Sequence, residues 1–252
     1  MPIDTGMPIQ TTPEFIMFDT LTAPPDTAQT PSRVDLYAPI HKALRSFMCD
    51  TLCRVGRIDV DDAAELRDTL AQCESLLELC AGHVHHENEF MHPAIEVRTP
   101  LASRRIADEH DEHLESIAEL RAEVETLRRA GAAQRAMLAL RLYRHLALFV
   151  AANFQHMHVE ESAHNAALWA TYDDAELMQL HQRILDSITP EEHLLVARWM
   201  LPALNPAERA DTVRGMREAT PPEALVALMA QVRPHMDEVG RRKLARDTGV
   251  AA

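Results

Sequence analysis

The stretch that decides the fold of this chain is His83-Val84-His85-His86-Glu87-Asn88-Glu89-Phe90-Met91-His92-Pro93. It places four histidines and two glutamates within ten residues. On a helix, residues four apart share a face, so His85 and Glu89 would reach one point in space. A soluble helix rarely turns histidine and glutamate inward unless a positive charge lies there, and a divalent metal ion is the simplest candidate. For this stretch alone, a solvated polar patch is an equally good interpretation.

The composition favours a helical protein. Of 252 residues, 46% are hydrophobic, which suffices for a core, whereas aromatic residues make up only 4% and glycine occurs seven times. The formal net charge of −14 would repel nucleic acid and anionic membranes, so we expect neither as a partner. No signal peptide and no apolar run of membrane-spanning length is visible. The four cysteines form no Cys-x-x-Cys pair, which is typical of reduced thiols. We therefore expect a cytoplasmic protein, and a redox or soft-metal role for Cys49 and Cys53 stays open.

Helix start and stop signals divide the chain into three parts. Residues 1–31 are rich in proline and predict an extended N-terminal arm. Residues 32–170 predict four long helices, of which the third begins near Thr99-Pro100. In the second helix, Gly82 would permit the close approach of a neighbour or a local bend. Residues 171–252 carry repeated cap signals and predict a helical C-terminal extension without a catalytic cluster.

An approximate internal repeat predicts which residues of the stretch 83–93 belong to a metal site. In each half of residues 32–170, one helix carries an inward histidine and the next carries His-x-x-x-Glu. Two such helix hairpins, packed antiparallel, predict an all-α, up-down-up-down four-helix bundle. The spacing of His156 and Glu160 selects His85 and Glu89 as their counterparts. The bundle would then bring six side chains to one level: His41, His85, Glu89, His110, His156 and Glu160.

Six ligands of this kind suit two metal ions with bridging carboxylates. A structural zinc site usually needs only four ligands and often cysteine, and calcium demands mostly oxygen. Imidazole with carboxylate suits iron, and manganese or zinc are also chemically compatible. Three neighbouring histidines either bind the metal or only contact its ligands. They are His113, His86 and His92.

The combined motifs resemble the hemerythrin-like family, also called the HHE cation-binding domain, over residues 32–170. The resemblance is carried by His41 in Ile40–Arg45, His85–Glu89 followed by Pro93, Glu109–Leu114, and His156–Glu161. It implies two non-haem iron ions, with a bridging oxo, hydroxo or water ligand, inside the bundle. By this resemblance His41 and His85 would bind one side of the centre, and His110 and His156 the other. Glu89 and Glu160 would bridge the ions.

The chain departs from the oxygen carriers of that family. Their third helix carries two ligands four residues apart, whereas His110 and His113 are three apart. The oxygen carriers also have an aspartate five residues after their last histidine ligand, whereas this chain has Glu160 four residues after His156. The departures bring the ligand set closer to the family's repair and sensor branches.

Three functions are compatible with such a centre. The first is a metal-binding protein that binds or senses oxygen or a related small oxidant, such as peroxide or nitric oxide. The second is an oxidoreductase acting on peroxide or nitric oxide, or a protein that repairs iron centres. No flavin or nicotinamide motif is present, so binding or sensing is favoured over dedicated catalysis. The third is a metal-stabilised interaction module, whose C-terminal helices bind a partner or a second copy of the chain.

Overall fold

The computed structural model describes residues 33–250, and within that range the chain is helical with no strand. The all-α prediction is therefore confirmed for this part of the chain. The predicted arm at residues 1–31 lies outside the described residues. No helix of residues 33–250 has the length and apolar character needed to cross a membrane.

The first six helices carry the residues of interest. Two π-helical turns interrupt them: Glu87–Met91, here the first π-turn, and Glu160–His164, the second π-turn. Such turns insert an extra residue into a helix and often occur at functional sites. The helices are α1 (Ala38–Gly56), α2 (Ala63–His86), α3 (His92–Arg98), α4 (Arg104–Arg129), α5 (Ala132–Val159) and α6 (Asn165–Thr171).

The start of α4 differs from the prediction, which placed it at Thr99-Pro100. The Glu96 carboxylate instead accepts hydrogen bonds from the backbone N–H of Leu101 at 2.6 Å and of Ser103 at 2.9 Å. Leu101 adopts a left-handed backbone conformation with φ of 71°, which a helix cannot contain. The glutamate thus stabilises a loop, and the helix begins only at Arg104.

The four helices predicted in the C-terminal extension are present, and three of them begin at the expected caps. Asp173 and Asn205 each form a capping box with the glutamate three residues later, and Thr189 accepts from the backbone N–H of Glu192. The four predicted helices are α7 (Asp174–Ser187), α8 (Pro190–Ala203), α9 (Pro206–Ala219) and α10 (Pro222–Val232), and a further helix that was not predicted, α11 (Glu238–Thr248), follows them.

Helices α1, α2, α4 and α5 enclose the main core. Contacts run from α1 to α2, from α2 to α4, from α4 to α5, and from α5 back to α1. Their facing sides bury an apolar cluster that includes Phe47, Leu77, Leu120 and Leu146. Most of the buried histidines and both buried glutamates lie beyond this cluster, near the N-terminal ends of α1 and α4 and the C-terminal ends of α2 and α5.

Two further clusters extend this arrangement. Helices α3, α6 and α7 contribute Ile95, Leu168 and Leu177 to a cluster beside the π-turns, which helps to shield that end from water. Helix α8 packs on α1, where Trp199 stacks on Phe47 with ring centroids 4.0 Å apart. Gly82 permits the close approach of α8, because a Cβ there would lie 2.9 Å from Glu192 Oε1.

The main core gives a stability prediction with an internal control. Leu142 is fully buried, whereas Leu140 on the same helix is 48% exposed. Leu142→Ala should lower the free energy of unfolding by about 2–5 kcal/mol, because it leaves a cavity and removes buried apolar surface. Leu140→Ala should change it by less than about 0.5 kcal/mol. Urea denaturation followed by circular dichroism measures both, and equal losses would contradict the assigned core face.

Candidate metal centre

Six buried or nearly buried side chains converge at one end of the α1, α2, α4 and α5 core. Each comes from a different element: α1, α2, the first π-turn, α4, α5 and the second π-turn. Each can offer one nitrogen or carboxylate oxygen to a metal ion. They are His41, His83, Glu87, His110, His156 and Glu160.

The six side chains form two donor groups that share the glutamates. His41 and His83 belong to the first group, and His110 and His156 to the second. Glu87 and Glu160 belong to both. Within each group the donor atoms lie within 4.8 Å of one another, so one ion could contact all four.

The two carboxylates are oriented as bridges. Oε1 of Glu87 lies 3.2 Å from His83 Nε2, and its Oε2 lies 3.3 Å from His110 Nε2. Oε2 of Glu160 lies 3.4 Å from His41 Nε2, and its Oε1 lies 3.2 Å from His156 Nε2. Each glutamate therefore turns one oxygen towards each pair of histidines.

Hydrogen bonds at the outer nitrogen fix how three of the rings face the centre. The Nδ1–H of His41 donates to Glu161 Oε1 at 3.0 Å, and that of His156 donates to Glu109 Oε2 at 3.0 Å. The Nδ1–H of His110 donates to Asn88 Oδ1 at 2.8 Å. Because these partners accept, the Nε2 of each neutral ring presents a lone pair to the interior, as metal-binding histidines do.

Two of these lone pairs face each other. The Nε2 atoms of His110 and His156 lie 3.0 Å apart, and both rings are buried. Two acceptor nitrogens at this distance repel each other unless a proton or another cation lies between them. A metal ion contacted by both would convert this repulsion into attraction.

Several inward-facing polar atoms have no hydrogen-bond partner. Burial without a partner costs free energy, and two adjacent carboxylates add to that cost. Glu160 is fully buried and Glu87 is 3% exposed. The unpartnered atoms of the six side chains are His41 Nε2, His83 Nε2 and both carboxylate oxygens of Glu87 and of Glu160.

Burial and neighbouring ionisable groups also shift the pKa values of the side chains at this site. Burial, followed by the proximity of His41, lowers the pKa of His83 well below its usual value, so its ring is neutral. Burial and the neighbouring Glu160 raise the pKa of Glu87 well above its usual value. Burial alone would raise the pKa of Glu160, but the neighbouring imidazoles of His110 and His156 hold it well below its usual value. A cation at the centre would favour the ionised form of both carboxylates.

The structure does not bring the predicted ligands His85 and Glu89 to the centre. Their side chains are 70% and 50% exposed, and they face each other at 3.1 Å on the protein surface. His83 and Glu87 have the same four-residue spacing and occupy the buried positions instead. The other four predicted residues, His41, His110, His156 and Glu160, are brought together.

A signal for the correct pair was present in the sequence. The buried face of α2 includes Cys73, Cys80 and Val84, and Glu87 and Met91 continue it at steps of three and four residues. His83 lies three residues after Cys80, towards the same face. Helical phase, carried along the whole of α2, therefore distinguishes two pairs that the His-x-x-x-Glu spacing alone does not.

The three additional histidines have different surroundings. His113 is buried with its ring centroid 4.6 Å from that of His156, but it belongs to neither donor group. His86 lies 3.6 Å from Glu192 of α8, outside both groups. His92 is buried and joins Glu160 and His164 in a further group. His164 was missed, although it lies four residues beyond Glu160 and continues the His156–Glu160 spacing.

Comparison with known proteins identifies no relative: no protein-family model, curated protein or solved structure matches this chain.

The hydrogen bond from His156 to Glu109 predicts an effect on metal affinity. Glu109→Gln keeps the shape of the side chain but removes the charge that orients the imidazole and raises its basicity. The affinity for Co(II) should fall about 10- to 100-fold. Glu112→Gln, an exposed change on the same helix, is the matched control and should leave the affinity unchanged. Competition with a chromophoric chelator measures both, and equal affinities for the two variants would contradict the orienting role.

Proposed function

We propose that the chain is a non-haem di-iron protein, built on a hemerythrin-like four-helix bundle, that binds or senses oxygen or a related small oxidant. The observation that carries the proposal is the orientation of Glu87 and Glu160, each with one oxygen towards each histidine pair. A single ion would need only one oxygen of each. Two ions use all four oxygens and all four imidazoles.

The bundle assignment is supported by the contacts among α1, α2, α4 and α5. Each of these helices contacts two of the others in a closed ring. The donor residues lie near the N-terminal ends of α1 and α4 and near or just beyond the C-terminal ends of α2 and α5. Successive helices must therefore run in opposite directions to bring them together, which is the up-down-up-down arrangement.

Iron is the metal that this donor set favours. Four imidazoles with two carboxylates match a borderline divalent ion, whereas calcium or magnesium would require mostly oxygen, and neither cysteine nor a closed four-ligand shell points to structural zinc. Manganese and zinc are the competing ions, and loading with Fe(II) followed by exposure to air distinguishes an iron centre from a structural zinc site.

Charge explains why the centre would take a small anionic or electron-accepting molecule. Two divalent ions carry four positive charges, and the two carboxylates cancel half of them. An imidazole that binds a metal ion through Nε2 is neutral and adds no charge. Ferrous ions held by the four histidines and two glutamates would supply the electrons that oxygen or a related oxidant accepts. The surrounding apolar residues exclude water, and this strengthens the electrostatic attraction.

Sensing is supported by the packing of α8. This helix contacts both α1, which carries His41, and α2, which carries His83. Lys42, the neighbour of His41, also forms an ion pair with Glu208 of α9 at 2.6 Å. A change in the position of α1 upon ligand binding would therefore be transmitted to the C-terminal helices, which remain the candidate surface for a partner.

Two histidines of α2, His83 and His85, which are separated by a single residue, provide the test. Anaerobic loading with Fe(II), followed by metal analysis, should give two irons per chain, and air should then produce a new near-ultraviolet absorption band. His83→Ala should lower the affinity for at least one iron about 100-fold or more, because it removes a buried ligand. His85→Ala, an exposed control on the same helix, should load and absorb like the wild type.

Three outcomes would contradict the proposal. Absence of metal uptake would exclude the centre. Loss of iron in His85→Ala but not in His83→Ala would exclude this ligand set. Tight zinc binding with no absorption change in the iron-loaded chain after air would exclude the oxidant chemistry and favour a structural site.

A further inference from the structure

A third group of donors lies beside the six proposed ligands. It consists of His92, His164 and Glu160, whose donor atoms lie within 4.8 Å of one another. His92 is 6% exposed and His164 is 1% exposed. The Nε2 atom of each ring has no hydrogen-bond partner. Two buried imidazoles with unpartnered nitrogens beside a buried carboxylate are a donor set for a cation, and the four-His, two-Glu centre leaves both histidines unused.

The two histidines occupy related positions in the fold. His92 directly follows the first π-turn, and His164 ends the second. Their rings are perpendicular, with centroids 5.5 Å apart. His164 Nδ1 lies 3.2 Å from the hydroxyl oxygen of Tyr37, which can accept a hydrogen bond from the Nδ1–H and so leave the Nε2 lone pair free.

Competition for Glu160 prevents this group from holding a third permanent ion. Oε2 of Glu160 faces His41 and Oε1 faces His156, so two ions at the centre use both oxygens. A third divalent ion would also add two positive charges to a buried site that already carries an excess. An ion bound by His92 and His164 must therefore leave before the centre is complete, or move into it.

A surface cavity reaches this group and not the centre itself. The cavity has a volume of about 490 Å³, and His92 is on its wall. None of the six proposed ligands lines it. Glu96 and Arg104 contribute opposite charges to its lining, so its wall is not a uniformly positive barrier. The cavity also includes Asn88, the hydrogen-bond partner of His110, which brings it within one side chain of the second histidine pair.

We propose that His92, His164 and Glu160 form an entry position for divalent cations, which holds each ion transiently between the surface cavity and the buried centre. This inference rests on the proposed metal-binding function. An ion that reaches His92 from the cavity exchanges water for imidazole nitrogen. It then gains Glu160 and passes along that carboxylate to the histidine pairs.

Anaerobic stopped-flow mixing with Co(II) tests the entry position, because cobalt absorption reports binding without oxidation. Wild-type protein should bind two Co(II) per chain. His92→Ala and His164→Ala should each slow binding at least about tenfold, equivalent to about 1.4 kcal/mol of barrier. The final number of ions and the final spectrum should equal those of the wild type. The matched control, His158→Ala, changes an exposed histidine near the second π-turn and should bind at the wild-type rate.

A fourth variant keeps every donor and changes only the route. Ala107 lines the cavity, so Ala107→Trp should narrow it and also slow uptake, with an unchanged final spectrum. This variant decides the question if removing a buried histidine unfolds the protein, which circular dichroism would reveal.

Each other result has a distinct meaning. Wild-type rates in His92→Ala, His164→Ala and Ala107→Trp would overturn the entry position while leaving the proposed centre intact. An altered final spectrum or fewer ions in His92→Ala would overturn it in favour of a permanent ligand, and three ions in the wild type would overturn the competition for Glu160. No Co(II) binding by the wild type would contradict the proposed function itself.

Discussion

The structure depends on two carboxylates buried among imidazoles. Glu87 and Glu160 lie in the interior with no hydrogen-bond partner for any of their four oxygens. Two like charges in a medium of low dielectric constant repel strongly, and proton sharing relieves this only in part. A cation contacted by both glutamates removes the repulsion and satisfies the lone pairs of the surrounding rings. The folding stability of this end should therefore be linked to metal binding.

The surrounding helices stabilise the fold and position the two buried glutamates and their neighbouring histidines. Leucine-rich faces of α1, α2, α4 and α5 form the apolar core that supplies stability away from the polar end. At the polar end, the π-turns Glu87–Met91 and Glu160–His164 each begin with one of the two glutamates. Glu109 and Glu161 then orient His156 and His41 from outside. The centre is thus held by helix ends and by carboxylates that do not themselves belong to the donor groups.

Much of the fold and most of the site followed from the sequence, because both depend on helical periodicity and caps. The structure does not place His85 and Glu89 with the other four predicted residues, because two pairs with identical spacing overlap and only the phase of α2 distinguishes them. The predicted start of α4 at Thr99-Pro100 was wrong, because the backbone N–H groups of Leu101 and Ser103 donate to Glu96 and these contacts override the local proline signal. His164 continues the four-residue spacing of His156 and Glu160, but its proximity to His92 depends on how the helices pack, which the spacing does not encode.

Anomalous diffraction from crystals of the iron-loaded protein tests the central claim most directly, because it locates each ion independently of the protein donors. The account predicts two peaks, one beside His41 and His83 and one beside His110 and His156, with Glu87 and Glu160 between them. A single peak, or a peak at the exposed pair His85 and Glu89, would contradict it.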